Sequence, residues 1–331
     1  MIRQNMKKIV LGLSLLVGAG LLSGCGGEKK AEDGATKEML KVGIVQLVEH
    51  ESLDAANKGF VDGMAAKGFK ENVNVIYDRQ NAQADQSNLQ NIAQRFVSTK
   101  MDLICAIATP AAQTMANATK EIPIVGTAIT DYEAAKLVAS SLEPKGNITG
   151  TTDMNPLQEQ VELILKIVPT TKAIGVIYTS SEVNSQLQVD ILKKILQEKN
   201  IEVIEATVST VNDIQQAAQS LVGKVDAIYA PTDNIIASAM PNLASIAEPA
   251  KIPVFCGAGA MVKAGGVATV GIDYYKLGVQ TGEMAARILA GEAQPATMPI
   301  EAQKEMQTII NLETIKRLGI SIPEDILKAA K

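Results

Sequence analysis

Two hydrophobic periods alternate along this chain. Residues 41–47 ("KVGIVQL") form a short continuous apolar run, which predicts a strand buried on both faces. Residues 52–67 then carry apolar positions at helical spacing and stop at Gly68. The same alternation predicts a strand at 74–77, a helix at 86–99, a strand at 102–108, a helix at 111–119 and a strand at 122–128. Such a series specifies a parallel sheet covered by helices on both faces. The pattern then restarts: "AIGVIY" (173–178) matches "KVGIVQ", "DAIYAPTDNIIASAM" matches "DLICAIATPAAQTMA", and "AKIPVFCGA" matches "KEIPIVGTA".

Matching strands are similarly spaced in the two halves, so one α/β plan is duplicated rather than repeated as a solenoid. The expected fold is two doubly wound, Rossmann-like lobes. Sheets of this kind bind ligands beyond the carboxyl ends of their strands, and facing lobes bring those ends to one cleft. Beyond the second half come a short strand, a long amphipathic helix ending at Gly291, an extended stretch at 297–310 and terminal helices in "LETIKRLGI" and "PEDILKAA". A tail that returns to the first lobe and crosses again makes several hinge connections. The expected division is lobe 1 at 40–148 with 274–298 returning to it, and lobe 2 at 149–273 with 299–331 returning to it.

The N-terminal segment follows another rule. Arg3, Lys7 and Lys8 precede an apolar run at 9–22, too short for a comfortable membrane span of about 20 residues. Small residues then lead to Cys25, and "LSGC" resembles the lipobox of bacterial lipoproteins. Residues 1–24 are expected to be a cleaved signal peptide, and Cys25 a lipid (palmitate-type) anchor whose chains each add about 0.8 kcal/mol per buried CH2. Residues 25–39, Gly-rich, charged and aperiodic, are expected to be a flexible tether. The location implied is the extracytoplasmic face of the cell membrane, the periplasmic side in a two-membrane cell.

Composition narrows the function. The net charge is −5 and becomes more negative once the cationic leader is removed, which excludes the basic footprint of a nucleic-acid binder. Beyond Cys25 only Cys105 and Cys256 remain, both in apolar strand-like runs that suit buried thiols better than a disulfide or metal pair. His50 is the single histidine. No metal site and no cofactor are expected, and the chain has neither a Walker loop nor GxGxxG between a strand and a helix. An enzyme would have to rest on His50 and Glu49 as base and acid.

The loops after strand carboxyl ends supply the candidate ligand residues. In the first half these are Glu49 and His50 in "VEHES", Thr109 and Pro110 in "TPAAQ", and Thr127 and Asp131 in "TAITD", a segment expected to be a crossover loop. In the second half they are Asn184 and Ser185 in "SSEVNS", Thr232, Asp233 and Asn234 in "PTDN", and the loop "GAGA". Backbone N–H groups at the starts of the following helices suit a ligand carboxylate. Capping competes with ligand contact at several positions. Thr109 fits an N-cap before a proline at the first helical position, Glu49 and His50 fit caps of the helix near Ser52, and Asp233 is itself a favoured N-cap type. The working expectation is that Asp233 pairs with a ligand ammonium while Thr109, Asn184 and Ser185 hold its carboxylate. The aromatic residues form no box by spacing.

From about residue 40 onward the chain resembles a family of substrate-binding lipoproteins of bacterial ABC transporters, type I binding proteins whose ligands centre on tryptophan and other aromatic amino acids. The resemblance is carried, in family order, by "VEH", "LDAANKGFVDGM", "YDRQNAQAD", "AIATPAAQ", "SSEVNSQLQV", "SLVGKVDAIYAPTDN" and "VGIDYYKLGVQTG". It implies a type I periplasmic-binding-protein fold, an amino-acid ligand, lobe closure, and delivery to a permease with its ATPase by a monomeric carrier; a lipoprotein that signals to a membrane sensor is the alternative. It also implies a ligand role for Asp273. At "CGAGAMVKAG" the chain departs from relatives that carry acidic residues near 257–259, which alters either the pocket floor or a surface loop.

Overall fold

Each half of the duplicated pattern builds its own six-stranded sheet, and the strands cross between the sheets in three places. The structure is a computed structural model that describes residues 39–330. The signal segment, Cys25 and all of the proposed tether except Met39 lie outside the described residues.

The first half runs β1 (Leu40–Gln46), α1 (Glu51–Ala66), β2 (Val75–Asn81), α2 (Gln86–Ser98), β3 (Leu103–Ile107), α3 (Thr109–Ala118), β4 (Ile124–Ile129) and β5 (Ile148–Thr152). The second runs α4 (Leu157–Ile167), β6 (Ala173–Thr179), α5 (Val183–Glu198), β7 (Glu202–Val208), α6 (Ile214–Leu221), β8 (Ala227–Ala230), α7 (Asn234–Ser238), α8 (Met240–Ala247), β9 (Val254–Cys256), α9 (Gly259–Lys263) and β10 (Ala268–Gly271). The tail adds α10 (Tyr274–Leu289), β11 (Glu301–Ala302), β12 (Gln307–Ile310), α11 (Leu312–Leu318) and α12 (Glu324–Ala329).

The first sheet has the order β11-β5-β4-β3-β1-β2 and is parallel throughout. The second has the order β12-β10-β9-β8-β6-β7, parallel except for the antiparallel edge strand β12. This is the expected pair of doubly wound lobes. The predicted boundary at 148/149 falls inside β5, which pairs with β4, so the first lobe extends through Thr152. Likewise β11 pairs with β5, so the tail leaves the first lobe only after Ala302. The apolar-run reading passes over β5 because "ITGTT" is rich in threonine. Its Thr149 and Thr151 are nevertheless fully buried, donating to Met298 O at 2.8 Å and sharing a 2.8 Å bond with Thr281 Oγ1.

Buried strands place their side chains in the two cores. Cys105 in β3 and Cys256 in β9 are buried free thiols, pushed to weak acidity by burial. The stretch 234–247, helix-like in sequence, breaks at Ala239 because Pro241 sits in the first turn of α8, where a missing N–H is tolerated.

Lobe 1 is braced by a close helix pair. Gly59 and Gly63 of α1 meet Gly278 and Gly282 of α10, and a methyl group at any of the four would come within 2.0–2.3 Å of a backbone carbonyl oxygen on the other helix. Only glycine permits this backbone contact. The three crossings, at 153–156, 272–273 and 303–306, lie side by side in part: Gln303 Oε1 accepts from Asp273 N at 3.1 Å, and Gln303 Nε2 donates to Asp273 O at 2.6 Å.

Candidate functional site

A small cavity of about 20 Å³, counted as the space open to the centre of a water-sized sphere, lies where the lobes meet. His50, Ser52, Leu53 and Ala128 line it from lobe 1, and Asn184, Thr232, Asp233, Asn234, Ala237, Ala258 and Met261 from lobe 2. Asp153 and Tyr274 reach it from the crossings. Every one of these residues sits near the carboxyl end of a strand, as a doubly wound sheet dictates. The helices that begin there turn their unsatisfied first N–H groups, the positive ends of their dipoles, toward the cleft.

Lobe 2 answers those N–H groups with its own carboxylates. Asp233, 1% exposed, caps α7 through Ile236 N at 2.9 Å, and it also accepts from Thr179 N (2.6 Å), Thr179 Oγ1 (2.8 Å) and Ser185 Oγ (2.7 Å). A carboxylate has about four lone-pair sites, so these donors saturate it. Glu182, at the N-cap position of α5, accepts from Asn184 Nδ2 and from both N–H groups of Asn234. Burial, aided by the nearby Asp233 charge, holds the Glu182 carboxyl above the usual carboxylate range.

Lobe 1 leaves the N-termini of α1 and α3 without a side-chain cap. His50 is the N-cap residue of α1 and makes no side-chain cap bond; Ala108, at φ 83, does the same for α3. Ala128, at φ 55, occupies the bulged end of β4 and lines the cavity. Positive φ at two alanines, each of them costing about 1–3 kcal/mol, concentrates backbone strain at the strand ends beside the cleft.

Buried polar atoms nearly always have partners, yet His50 Nδ1, Ser52 Oγ and Asn184 Oδ1 have none, and all three residues line this one cavity. Burial lowers the His50 pKa, which keeps the imidazole neutral. Asp153, 3% exposed, accepts from Thr130 Oγ1 at 3.0 Å and from Tyr274 OH at 2.7 Å; its carboxyl is raised by burial. No lysine or arginine lines the cavity among the described residues.

Three contacts hold the lobes together over the cavity. His50 Nε2 lies 3.4 Å from Asn234 Oδ1, Thr130 Oγ1 lies 3.3 Å from Thr232 Oγ1, and Lys263 Nζ donates to Glu51 Oε1 at 2.6 Å. The conformation is closed.

The structure brings five expected site residues to the cavity wall: His50, Asn184, Thr232, Asp233 and Asn234. Ser185 is buried behind Asp233 as its donor. The others are placed elsewhere. Glu49 is exposed, so it makes no acid–base pair with His50, whose partner is Asn234. Thr109 is the first residue of α3 rather than its N-cap, buried with an unpartnered hydroxyl outside the cavity lining, and Pro110 follows it half-buried. Thr127 lies in β4, not in a crossover loop; side chains alternate along a strand, so while Ala128 faces the cavity, Thr127 turns to Thr151. Asp131 closes a local turn by accepting from Glu133 N and Ala134 N. Asp273 caps α10 through Lys276 N at a crossing and stays outside the lining.

The sequence reading missed Ser52, Asp153, Tyr274 and the apolar wall of Leu53, Ala237, Ala258 and Met261. Ser52 carried a usable signal, lying two residues beyond His50 at a helix start. Asp153 had none, since it follows a strand that was itself unseen. The departure at "CGAGAM" falls on residues that are buried except for the half-buried Ala260, and two of them, Ala258 and Met261, form part of the pocket wall.

Two parallel α/β lobes, three crossings and a closed polar cavity at the strand ends define a two-lobed ligand-binding protein with the type I periplasmic-binding-protein fold. The chain belongs to the ABC transporter substrate-binding protein family, whose model matches residues 41–331. It is 44% identical over 311 residues to a tyrosine-binding protein of Clostridioides difficile (strain R20291), covering 94% of this chain and 90% of that one. It superposes with a TM-score of 0.85 on the Streptococcus pneumonia ABC domain in complex with L-Trp, at 42% identity, covering 88% of this chain and 98% of that one. A ligand-free, open substrate-binding protein with adhesive properties from Clostridium difficile gives only 0.68, at 44% identity and the same two coverages. Sequence distance cannot explain that gap, whereas lobe closure does.

Proposed function

We propose that this protein captures a free aromatic amino acid, of the tyrosine and tryptophan class, between its lobes and presents the closed complex to an ABC permease and its ATPase. It does so as a monomer held to the outer face of the cell membrane by lipid on Cys25, without catalysing a reaction on its ligand. The observation that carries the reading is the interlobe cavity at the carboxyl ends of the strands, whose wall combines unpartnered polar atoms with an apolar side built from Leu53, Ala237, Ala258 and Met261. Relatives that bind tyrosine and carry L-Trp support the aromatic class.

A thermal-shift screen across the twenty amino acids tests it. A ligand at 100 times its Kd stabilises the closed state by about 2.7 kcal/mol. The largest shifts are expected for L-tyrosine and L-tryptophan, and small-angle scattering should show a smaller radius of gyration with the winning ligand. No shift with any amino acid would overturn the reading.

A further inference from the structure

A zwitterion must find one seat for its anion and one for its cation in a cavity that, among the described residues, offers neither lysine nor arginine. The saturated state of Asp233 removes the residue that the sequence favoured for the cation. Asp153 is the remaining carboxylate on the wall. It receives two donors, Thr130 and Tyr274, which leaves about half of its lone-pair capacity open. For the anion, α1 is a 16-residue helix whose N-terminus opens on the cavity without a side-chain cap. The Ser52 hydroxyl stands there 4% exposed and without any partner. The acids of the same turn are occupied elsewhere, Glu51 by Lys263 and Asp54 by Gln46.

We infer that the ligand lies with its carboxylate at the N-terminus of α1, received by the Ser52 hydroxyl and the first-turn N–H groups, and with its ammonium on Asp153. The assignment rests on the ligand being an amino acid. It gives each lobe-1 feature a use: the open helix end supplies donors and partial positive charge where no cation is present, and the buried carboxylate gains the counter-charge it lacks. Asp153 also begins the first crossing, while its partner Tyr274 opens α10 after the second, and Thr130 reaches across to Thr232. An ammonium on Asp153 therefore sits where two crossings and both lobes meet.

The test pairs protein variants with trimmed ligands. Calorimetry on the full chain uses the tighter of L-tyrosine and L-tryptophan, its decarboxylated amine, and its deaminated acid (the propionate). Ser52→Ala should shrink the preference for the parent over the amine by about tenfold, and should leave the preference over the deaminated acid unchanged. Asp153→Asn should do the reverse, cutting the preference over the deaminated acid by about ten- to a hundredfold. Ser52→Ala breaks no hydrogen bond of the fold, so that arm decides the matter even if Asp153→Asn folds poorly. Binding of the parent with neither preference altered by Ser52→Ala, or with the two variants exchanging effects, overturns the orientation alone. No binding of either amino acid to the wild type overturns the amino-acid reading as well.

Discussion

Gly278→Ala places one methyl group in the tightest part of lobe 1. A Cβ there would stand 2.0 Å from Ala56 O and 2.8 Å from Ala56 C on α1. An ordinary carbon–oxygen contact is about 3.3–3.6 Å, so the helices must part by roughly 1.3 Å. The obstacle is backbone and cannot rotate away. Overpacking of a tight interior costs about 1–3 kcal/mol, and the upper end applies because Gly59, Gly63 and Gly282 lock the same crossing. Alanine recovers about 0.8–1.0 kcal/mol of helix propensity. The net loss is about 1–2 kcal/mol, or a Tm lower by roughly 2–8 °C at this size. Scanning calorimetry measures it, with Gly146→Ala as control, since a methyl there meets only Pro144 O at 4.0 Å. The double variant Gly278→Ala/Gly282→Ala should lose less than the sum, because one separation relieves both clashes. Ser52 and Tyr274 open these two helices at the cavity, so affinity should fall too. A Gly278→Ala protein as stable as the wild type would refute the backbone contact.

Asp233→Asn keeps a capping oxygen for Ile236 N, since Asn caps as well as Asp, but sets an amide N–H2 against the Thr179 and Ser185 donors. Urea unfolding should show a loss of about 1.5–3 kcal/mol, and an unchanged midpoint would mean the carboxylate is not the organiser of this loop. Glu182 is held protonated to higher pH in the folded than in the unfolded chain, so its ionisation drains stability as pH rises from the usual carboxylate range through its folded value. Glu182→Gln keeps an acceptor oxygen and removes the charge; its Tm should exceed the wild-type value at pH 9 and converge with it near pH 4, and parallel curves at all pH would contradict the assignment. Cys25→Ser should leave the protein unprocessed or free of membranes in cell fractionation; a wild type found wholly soluble, with no lipid mass on its N-terminal peptide, would sink the anchor.

Much of the frame was legible because its signal is local. Continuous apolar runs such as "KVGIVQL" and "AIGVIY" mark strands buried on both faces, and the repeated order of runs and helices fixes two sheets with ligand-facing carboxyl ends. That alone brought His50, Asn184 and the "PTDN" loop to the cleft. What the chain by itself left undecided depends on partners distant in sequence. β5 can be buried as a strand because Thr149 and Thr151 find hydrogen-bond partners on the segment 281–298, so its polar sequence hides it. Thr127 and Ala128 differ in role only through which face of β4 meets α10 and which meets the cleft. Asp233 looked like a free anion, yet donors from β6, α5 and α7 consume all its capacity. Asp153 was silent and Ser52 was marked only by its place at a helix start, and it is their incomplete hydrogen bonding inside the closed lobes that sets them apart. Periodicity is written residue by residue, whereas the saturation of a buried charge is a property of everything packed around it.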